Sequence, residues 1–186
     1  MKEVVYIEKA LIDEALKNFT ILVDTREQEN DKFTKRVSSF GTPYARHKLD
    51  FGDYSAICSL DSFKFFSLED VCVIERKYGL DELTMCFGID RQRFIREFER
   101  AKERGAKTYL LVENDSWDKA YAGRYETKMS PTALIASMTT WLARYNCQIL
   151  FCSYLNSGHL IRDILMREMI EYLKAYNYED DSDELY

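Results

Sequence analysis

The chain has 186 residues, 46% hydrophobic and 31% charged, which suits one domain burying about 70% of its unfolded surface without disulfide or metal staples. Two prolines and seven glycines exclude collagen-like and linker-dominated chains, and no apolar run approaches the ~20 residues that span a bilayer. A net charge of -6 and a pI near 5.1 argue against a generic nucleic-acid coat protein, though not against a local basic face.

The opening segment MKEVVYIEKALIDEALKNF carries charges throughout and reads as neither signal peptide nor membrane anchor. Val4, Ile7, Leu11 and Ala15 recur at helical spacing and predict an amphipathic helix over residues 3 to 18. Ile21-Leu22-Val23 reads as a buried strand, and the charged stretch from Glu27 to Lys35 as a mobile loop. Between Tyr44 and Glu75 the segments YARHKLD, DYSAIC, FKFFSL and VCVIER predict a β-meander, broken at Gly41, Gly52 and the LED triplet.

After Gly79 the period becomes helical. Asp90 can cap a helix ending at Gly105, with Phe94, Ile95, Phe98 and Ala101 on one face. Thr108 to Val112 is a second apolar strand. Ser130-Pro131 opens another helix, whose expected buried face is Leu134, Ile135, Met138, Trp141, Leu142 and Tyr145. Gln148 to Cys152 is a third strand, and Asn156 opens a final helix to about Tyr176. The last eight residues, EDDSDELY, hold Glu179, Asp180, Asp181, Asp183 and Glu184 with no basic residue, so the preceding 178 are nearly neutral. They read as a solvated, disordered tail.

This order predicts an α/β single domain, a mixed central sheet flanked by helices. The expected division is an N-terminal helix (1–18), a globular body (19–178) and an acidic tail (179–186). The five cysteines form no C-x-x-C pair, and His47 and His159 are the only histidines, so zinc-ligand spacing is lacking. Reduced, mostly buried thiols are expected, in an intracellular, non-secreted protein, cytoplasmic or nucleoid-associated. Neither histidine is given a role.

The chemistry concentrates in Gly52-Asp53, twenty-one further residues, then Glu75-Arg76-Lys77 and Asp81. Residues two apart on a strand project to one side, so Glu75 and Lys77 share a face and Arg76 points away. With Asp53 on a neighbouring strand, Asp53 and Glu75 can share a hard divalent cation such as Mg2+. A lysine beside it can hold or help activate an attacking water. Taken alone, a D…E-x-K match is also compatible with an exposed E-R-K triplet of no function.

The surrounding pattern resembles the nuclease domain of the XPF-type structure-specific endonucleases, within the PD-(D/E)XK restriction-endonuclease-like superfamily. The motif G-D…E-R-K-x-x-x-D stands here as Gly52-Asp53…Glu75-Arg76-Lys77-Tyr78-Gly79-Leu80-Asp81. The family's upstream D-x-R-E stands as Asp24-Thr25-Arg26-Glu27 after the ILV strand. Its downstream R-F pair and strand ending in V-E stand as Arg93-Phe94 and Leu110-Leu111-Val112-Glu113. The likeness spans about residues 20 to 155.

The resemblance implies a restriction-endonuclease-like fold and a metal-dependent DNA endonuclease, with Mg2+ as cofactor and Mn2+ able to substitute. It implies metal binding by Asp53, Glu75 and the Arg76 main-chain carbonyl, and Lys77 as the catalytic lysine. Asp24 and Glu27 would support the site or hold a second metal, and Arg26, Arg76 and Asp81 would position the site or the scissile phosphate. Asp24 can equally cap a turn, and Asp81 a helix start.

Arg93, Arg96, Arg100 and Arg104 fall within about an 80° arc of one helix. That stripe can bind a phosphate backbone, or form a solvated face in which Glu97 pairs with Arg93 or Arg100. Arg93 also matches the family motif. Lys119 to Lys128 can clamp DNA, with Lys128 the candidate contact, although its composition favours a simple surface loop.

Larger relatives add a tandem helix-hairpin-helix module or a helicase, for which this chain has no room, so it resembles compact phage-like forms. Relatives pair through their C-terminal helices, which makes a homodimer through the helices after Ser130 and Asn156 the expectation. Branched, flap or junction DNA in recombination, repair or replication is the expected substrate, without membrane association. The alternatives are a non-catalytic DNA-binding scaffold on a nuclease fold and a nuclease without structure preference.

Overall fold

The computed structural model describes residues 9–60 and 64–176. The expected acidic tail and the first part of the N-terminal helix lie outside the described residues. Along the chain run α1 (Lys9–Leu16), β1 (Thr20–Asp24), α2 (Asp31–Ser38), β2 (Tyr44–His47), β3 (Tyr54–Ser59), β4 (Phe65–Ser67), β5 (Cys72–Lys77), α3 (Leu80–Phe87), α4 (Arg91–Glu103), β6 (Lys107–Glu113), α5 (Trp117–Tyr121), α6 (Pro131–Arg144), β7 (Cys147–Cys152) and α7 (Tyr154–Ala175).

The strands form one mixed sheet in the order β2-β1-β3-β5-β6-β7, with β4 paired to β3 off that path. β3 runs antiparallel to β1, β4 and β5, whereas β1–β2, β5–β6 and β6–β7 are parallel pairs. Each parallel pair needs a crossover, and helices supply it: α2 for the first, α3 and α4 for the second, α5 and α6 for the third.

Two expectations change here. The charged stretch after Glu27 contains a helix, because Asn30 Oδ1 accepts from the Lys32 and Phe33 amides and caps α2, whose Phe33, Arg36 and Val37 are buried. With that crossover helix in place, the YARHKLD segment cannot extend a meander. It forms β2, parallel to β1 at the sheet edge.

Alternation along the strands divides the core into two layers. Ile21, Val23, Tyr54, Ala56 and Leu111 pack with Phe33, Val37, Ile161, Leu165, Met169 and Leu173 on the α1/α2/α7 side. Leu110 and Val112 of the same β6 pack with Leu80, Leu83, Phe87, Phe94, Phe98, Leu134, Met138 and Trp141 on the other side. Ser130 Oγ accepts from the Ala133 amide to start α6, as read from the sequence. The indole of Trp141 stacks on Phe94 and meets Phe87, Phe98 and Tyr145 edge-on or tilted. Leu142, expected on the buried face, is 38% exposed, because α6 turns only its Leu134-Met138-Trp141 stripe inward. All five cysteines are free thiols, four of them buried. Among the described residues no helix is long and apolar enough to cross a membrane.

Helices α2 and α7 cross almost backbone to backbone. A Cβ at Gly158 would lie 2.0 Å from Ser39 Oγ and 2.2 Å from the Arg36 carbonyl oxygen. Gly158→Ala should therefore destabilise the fold by about 1–3 kcal/mol, despite alanine's better helix propensity. Thermal denaturation would show this as a lowered Tm.

Candidate active site

The site forms where the chain entering β3 is forced against β5. Gly52 has φ +74°, and a Cβ there would sit 2.8 Å from the Val73 Cβ, so only glycine permits both the turn and the approach. The approach is then locked by hydrogen bonds. The Asp53 amide donates to the Ile74 carbonyl (2.9 Å), the Arg76 amide to Asp53 Oδ2 (2.8 Å), and the Asp24 amide to the Asp53 carbonyl (2.8 Å).

Glu75 and Lys77 share one face of β5, and Lys77 Nζ donates to Glu75 Oε1 at 2.6 Å. The ammonium also lies 3.7 Å from Glu82 Oε1 and 5.3 Å from the centroid of the Phe94 ring. Arg76 leaves by the opposite face, where Nη2 donates to Glu27 Oε1 (3.0 Å) and Nη1 lies 3.6 Å from Glu113 Oε2. Arg76 was expected to point away from the site, yet it still borders the cleft from that side.

Asp53, Glu75 and Lys77 line a cleft of about 530 Å³ together with Arg26, Glu27, Asn30, Lys32, Arg36, Tyr78, Arg93 and Glu97. Burial, and then the charge of Glu75, pushes the Asp53 carboxyl well above its ordinary value. Burial works against the Lys77 ammonium, but Glu75 and Asp53 outweigh it and hold its pKa above the usual range. Lys77 is thus a proton donor at neutral pH, suited to holding water or a phosphate oxygen. Glu97 is raised by burial and by Glu75.

Glu27, Arg36 and Arg76 form another wall of the same cleft, and behind them runs a buried network whose Arg36 and Tyr54 members the sequence did not reveal. Arg36, 3% exposed, donates from Nε and Nη2 to the two oxygens of Glu113 (3.0 and 3.2 Å) and from Nη1 to the Tyr54 hydroxyl (3.3 Å). Its Nε also reaches Ser157 Oγ on α7 (3.3 Å). The Tyr54 hydroxyl donates to Glu27 Oε2 (2.7 Å), which closes the set. Burial opposes charge on Glu27, yet Arg76 and Tyr54 hold its carboxyl below the ordinary range. Two guanidiniums and two carboxylates therefore balance out of solvent.

The remaining sequence candidates fall in different places. Asp24 is fully buried and lies outside the cleft lining: Oδ1 accepts from the Arg26 amide (2.8 Å) and Nε (2.6 Å), and Oδ2 from the Leu49 amide (2.7 Å). It braces the turn that presents Arg26. Asp81 Oδ1 accepts from the Glu126 amide (2.7 Å), tying α3 to the loop before α6, also away from the cleft. Of the arginine stripe only Arg93 reaches the cleft. Arg100 Nε donates to the Asp50 carbonyl and Arg104 pairs with Asp70, while Arg96 and Lys128 are exposed outside it.

Pairing of Glu97 with Arg93 or Arg100 is one of the two readings of the arginine stripe; in the structure Glu97 turns inward and meets Arg26 Nη1 at 3.5 Å. Its spacing from Phe94 and Ala101, three before and four after, carried that signal, because it places Glu97 beside the apolar face. Lys32, missed with α2, sits 3.6 Å over the Tyr78 ring at the cleft mouth.

The donor set of Asp53 and Glu75 is oxygen only, and it fits a hard divalent cation. Among the described residues no three His, Cys, Asp or Glu side chains converge enough to hold an ion by themselves. Further ligands for such a cation would be main-chain, water or substrate oxygens.

Residues 23–158 match the family profile of the ERCC4 domain. XPF from Aeropyrum pernix superposes with a TM-score of 0.55 at 19% identity, over 78% of this chain and 59% of that one. XPF from Aeropyrum pernix in complex with DNA gives 0.57 at 20% identity, over 82% and 66%. The chain thus spans less than two thirds of those proteins' length, and the likeness shows a shared fold. No curated protein matches it significantly by sequence.

Asp24→Asn should cost about 2–4 kcal/mol, since an amide cannot accept at both ends and leaves a buried backbone N–H facing another donor. Burial opposes charge on Asp24, but its bonds from Arg26 and Leu49 hold the folded carboxyl below its ordinary 3.8. That stability is present above the ordinary value and is lost as pH falls through the lower folded value. The Tm gap between wild type and Asp24→Asn should be full at neutral pH and narrow below about pH 4.

Proposed function

The chain belongs to the ERCC4 domain family, and we propose that it is a divalent-metal-dependent DNA endonuclease acting on branched, flap or junction DNA in recombination, repair or replication. One observation carries this reading: two neighbouring strands bring Asp53, Glu75 and Lys77 into a single cleft whose mouth carries Lys32 and Arg93. Against a non-catalytic scaffold stands the retention of the complete Asp53, Glu75 and Lys77 set, with Lys77 held at 2.6 Å by Glu75.

When bound between Asp53 and Glu75, Mg2+, or Mn2+ in its place, would offset the charge that builds on the phosphate during hydrolysis. The protein's own groups do the rest. Glu75 aims the Lys77 ammonium, which can donate to a non-bridging phosphate oxygen or hold the water that attacks in line. Arg76, engaged by Glu27 and Glu113, keeps the end of β5 rigid, so these groups need little reorganisation. Arg26, braced by Asp24, faces the same space from the turn after β1. At the mouth, Lys32 and Arg93 meet phosphates on either side, and Tyr78 offers a ring to an unstacked base. Pairing of two copies through α6 and α7 would add the second arm of a branched substrate.

Cleavage of end-labelled linear duplex, 3′-flap, fork and four-way junction DNA, with Mg2+, Mn2+ or chelator, tests this reading. Cutting should need metal and favour branched substrates. Asp53→Asn, Glu75→Gln and Lys77→Ala should abolish it while retaining cooperative unfolding. Undiminished cutting by Lys77→Ala would remove the catalytic assignment. Lys32→Ala and Arg93→Ala should each lower the slope of log affinity against log salt by about one, read by anisotropy on labelled DNA.

A further inference from the structure

The two strands that carry the acid pair share the shortest ladder of the sheet among the described residues. β3 and β5 are in register at a single pair, Tyr54 opposite Ile74, whereas β5 and β6 pair from Cys72 and Lys107 through to Lys77 and Val112. Around that pair the Asp53 amide donates to the Ile74 carbonyl, and Ser55 Oγ donates to the Cys72 carbonyl at 3.1 Å. The spacing of Asp53 and Glu75 is the spacing across this seam, so a short ladder leaves it poorly fixed unless something else spans it.

Both strands carry the same two-residue arrangement. Asp53 lines the cleft and the next residue, Tyr54, turns to the α2/α7 side, where it is fully buried. Glu75 lines the cleft and the next residue, Arg76, turns to that same side. The two neighbours converge on one carboxylate. Glu27 Oε2 accepts from the Tyr54 hydroxyl at 2.7 Å, and Oε1 accepts from Arg76 Nη2 at 3.0 Å. One side chain thus bridges the seam, with one oxygen for each strand.

The bridge is held from outside. Arg46 Nη2, on β2, donates to the carbonyls of Thr25 (2.9 Å) and Glu27 (2.8 Å), which fixes the turn that carries Glu27. Arg36 Nη1 donates to the Tyr54 hydroxyl at 3.3 Å, which leaves that hydroxyl to direct its own proton at Glu27. The charge balance of the network does not need the phenol. Without it Glu27 keeps Arg76 and lies 3.5 Å from Arg36 Nη1.

We propose that Tyr54 is a positioning residue for the cleft: by bonding Glu27 across the β3–β5 seam it sets the spacing of Asp53 and Glu75, and through it their affinity for a divalent cation and the rate of cleavage. This rests on the metal-dependent nuclease reading but concerns a buried residue that touches neither substrate nor cation. A tyrosine that served only to complete the buried network would affect stability and leave both properties alone.

The test compares full-length wild type, Tyr54→Phe and the control Tyr109→Phe. The control also deletes one hydroxyl, bonded to Glu168 on α7, from a residue that does not line the cleft. Tyr54→Phe keeps the ring packed edge-on against Phe40, and all measurements are made well below each Tm. Mn2+ affinity is read by calorimetric titration without DNA, and cleavage of a labelled 3′-flap is resolved into kcat and KM. Tyr54→Phe should bind Mn2+ about tenfold more weakly and lose about tenfold in kcat, as expected when a group supporting metal ligands is removed. Its KM for DNA should not change, because Tyr54 does not reach the surface. Tyr109→Phe should match wild type throughout. Wild-type Mn2+ affinity and kcat in Tyr54→Phe would overturn the proposal alone, and so would an equal loss in Tyr109→Phe. Wild type that neither binds Mn2+ nor cleaves would overturn it together with the metal-dependent reading.

Discussion

Arg76 is tethered on one face of β5 by Glu27 and Glu113, and everything at the cleft follows from that anchoring. A strand sends successive side chains to opposite faces, so fixing residue 76 on the α2/α7 side commits Glu75 and Lys77 to the α3/α4 side. The anchor is itself held, because Glu113 is gripped through both oxygens by Arg36, and Glu27 accepts from Tyr54. Five elements, α2, β3, β5, β6 and α7, meet in this one set of charges. Two positive and two negative groups share it, so no net charge is left out of water. Removing any one would leave a partner buried and unpaired.

The opposite face of the same strand is arranged differently. Asp53 and Glu75 are brought together by backbone hydrogen bonds and the glycine turn, against their mutual repulsion, and Lys77 compensates only part of their charge. One face of β5 thus stores electrostatic satisfaction and the other electrostatic need. The rigidity of the first supports the second: two carboxylates that share a single ammonium relax apart unless the scaffold prevents it. The aromatic cluster around Trp141 completes the support by fixing α4, and with it Phe94 beneath Lys77 and Glu97 at the cleft wall.

Much of this was legible in the residues alone. The apolar strands, the Ser130-Pro131 helix start, the Phe94/Phe98/Ala101 helix face and the mixed α/β class all follow from short-range periodicity. So does the common face of Glu75 and Lys77, since a period of two needs no knowledge of the fold. What was misread depended on long-range partners. Asp31 to Ser38 has too few apolar residues to declare a helix, and its burial relies on an arginine whose counter-charge lies 77 positions away. With α2 read as a loop, nothing in the sequence carries the chain back across the sheet, and the following strand reads as part of a meander rather than as the parallel edge beside β1.

The sequence by itself therefore determined the fold class, the family and the three side chains that converge on the cleft, because spacing and a motif of contiguous residues carry that information locally. Only the tertiary structure decided that Asp24 and Asp81 spend their carboxylates on backbone amides, that Arg100 and Arg104 of the stripe are engaged by the β2–β3 and β4–β5 connections, and that Glu97 turns inward. The reason is physical. A charged side chain has no preferred direction of its own; it takes the one set by the nearest unsatisfied partner, and those partners are assembled only when the chain has folded.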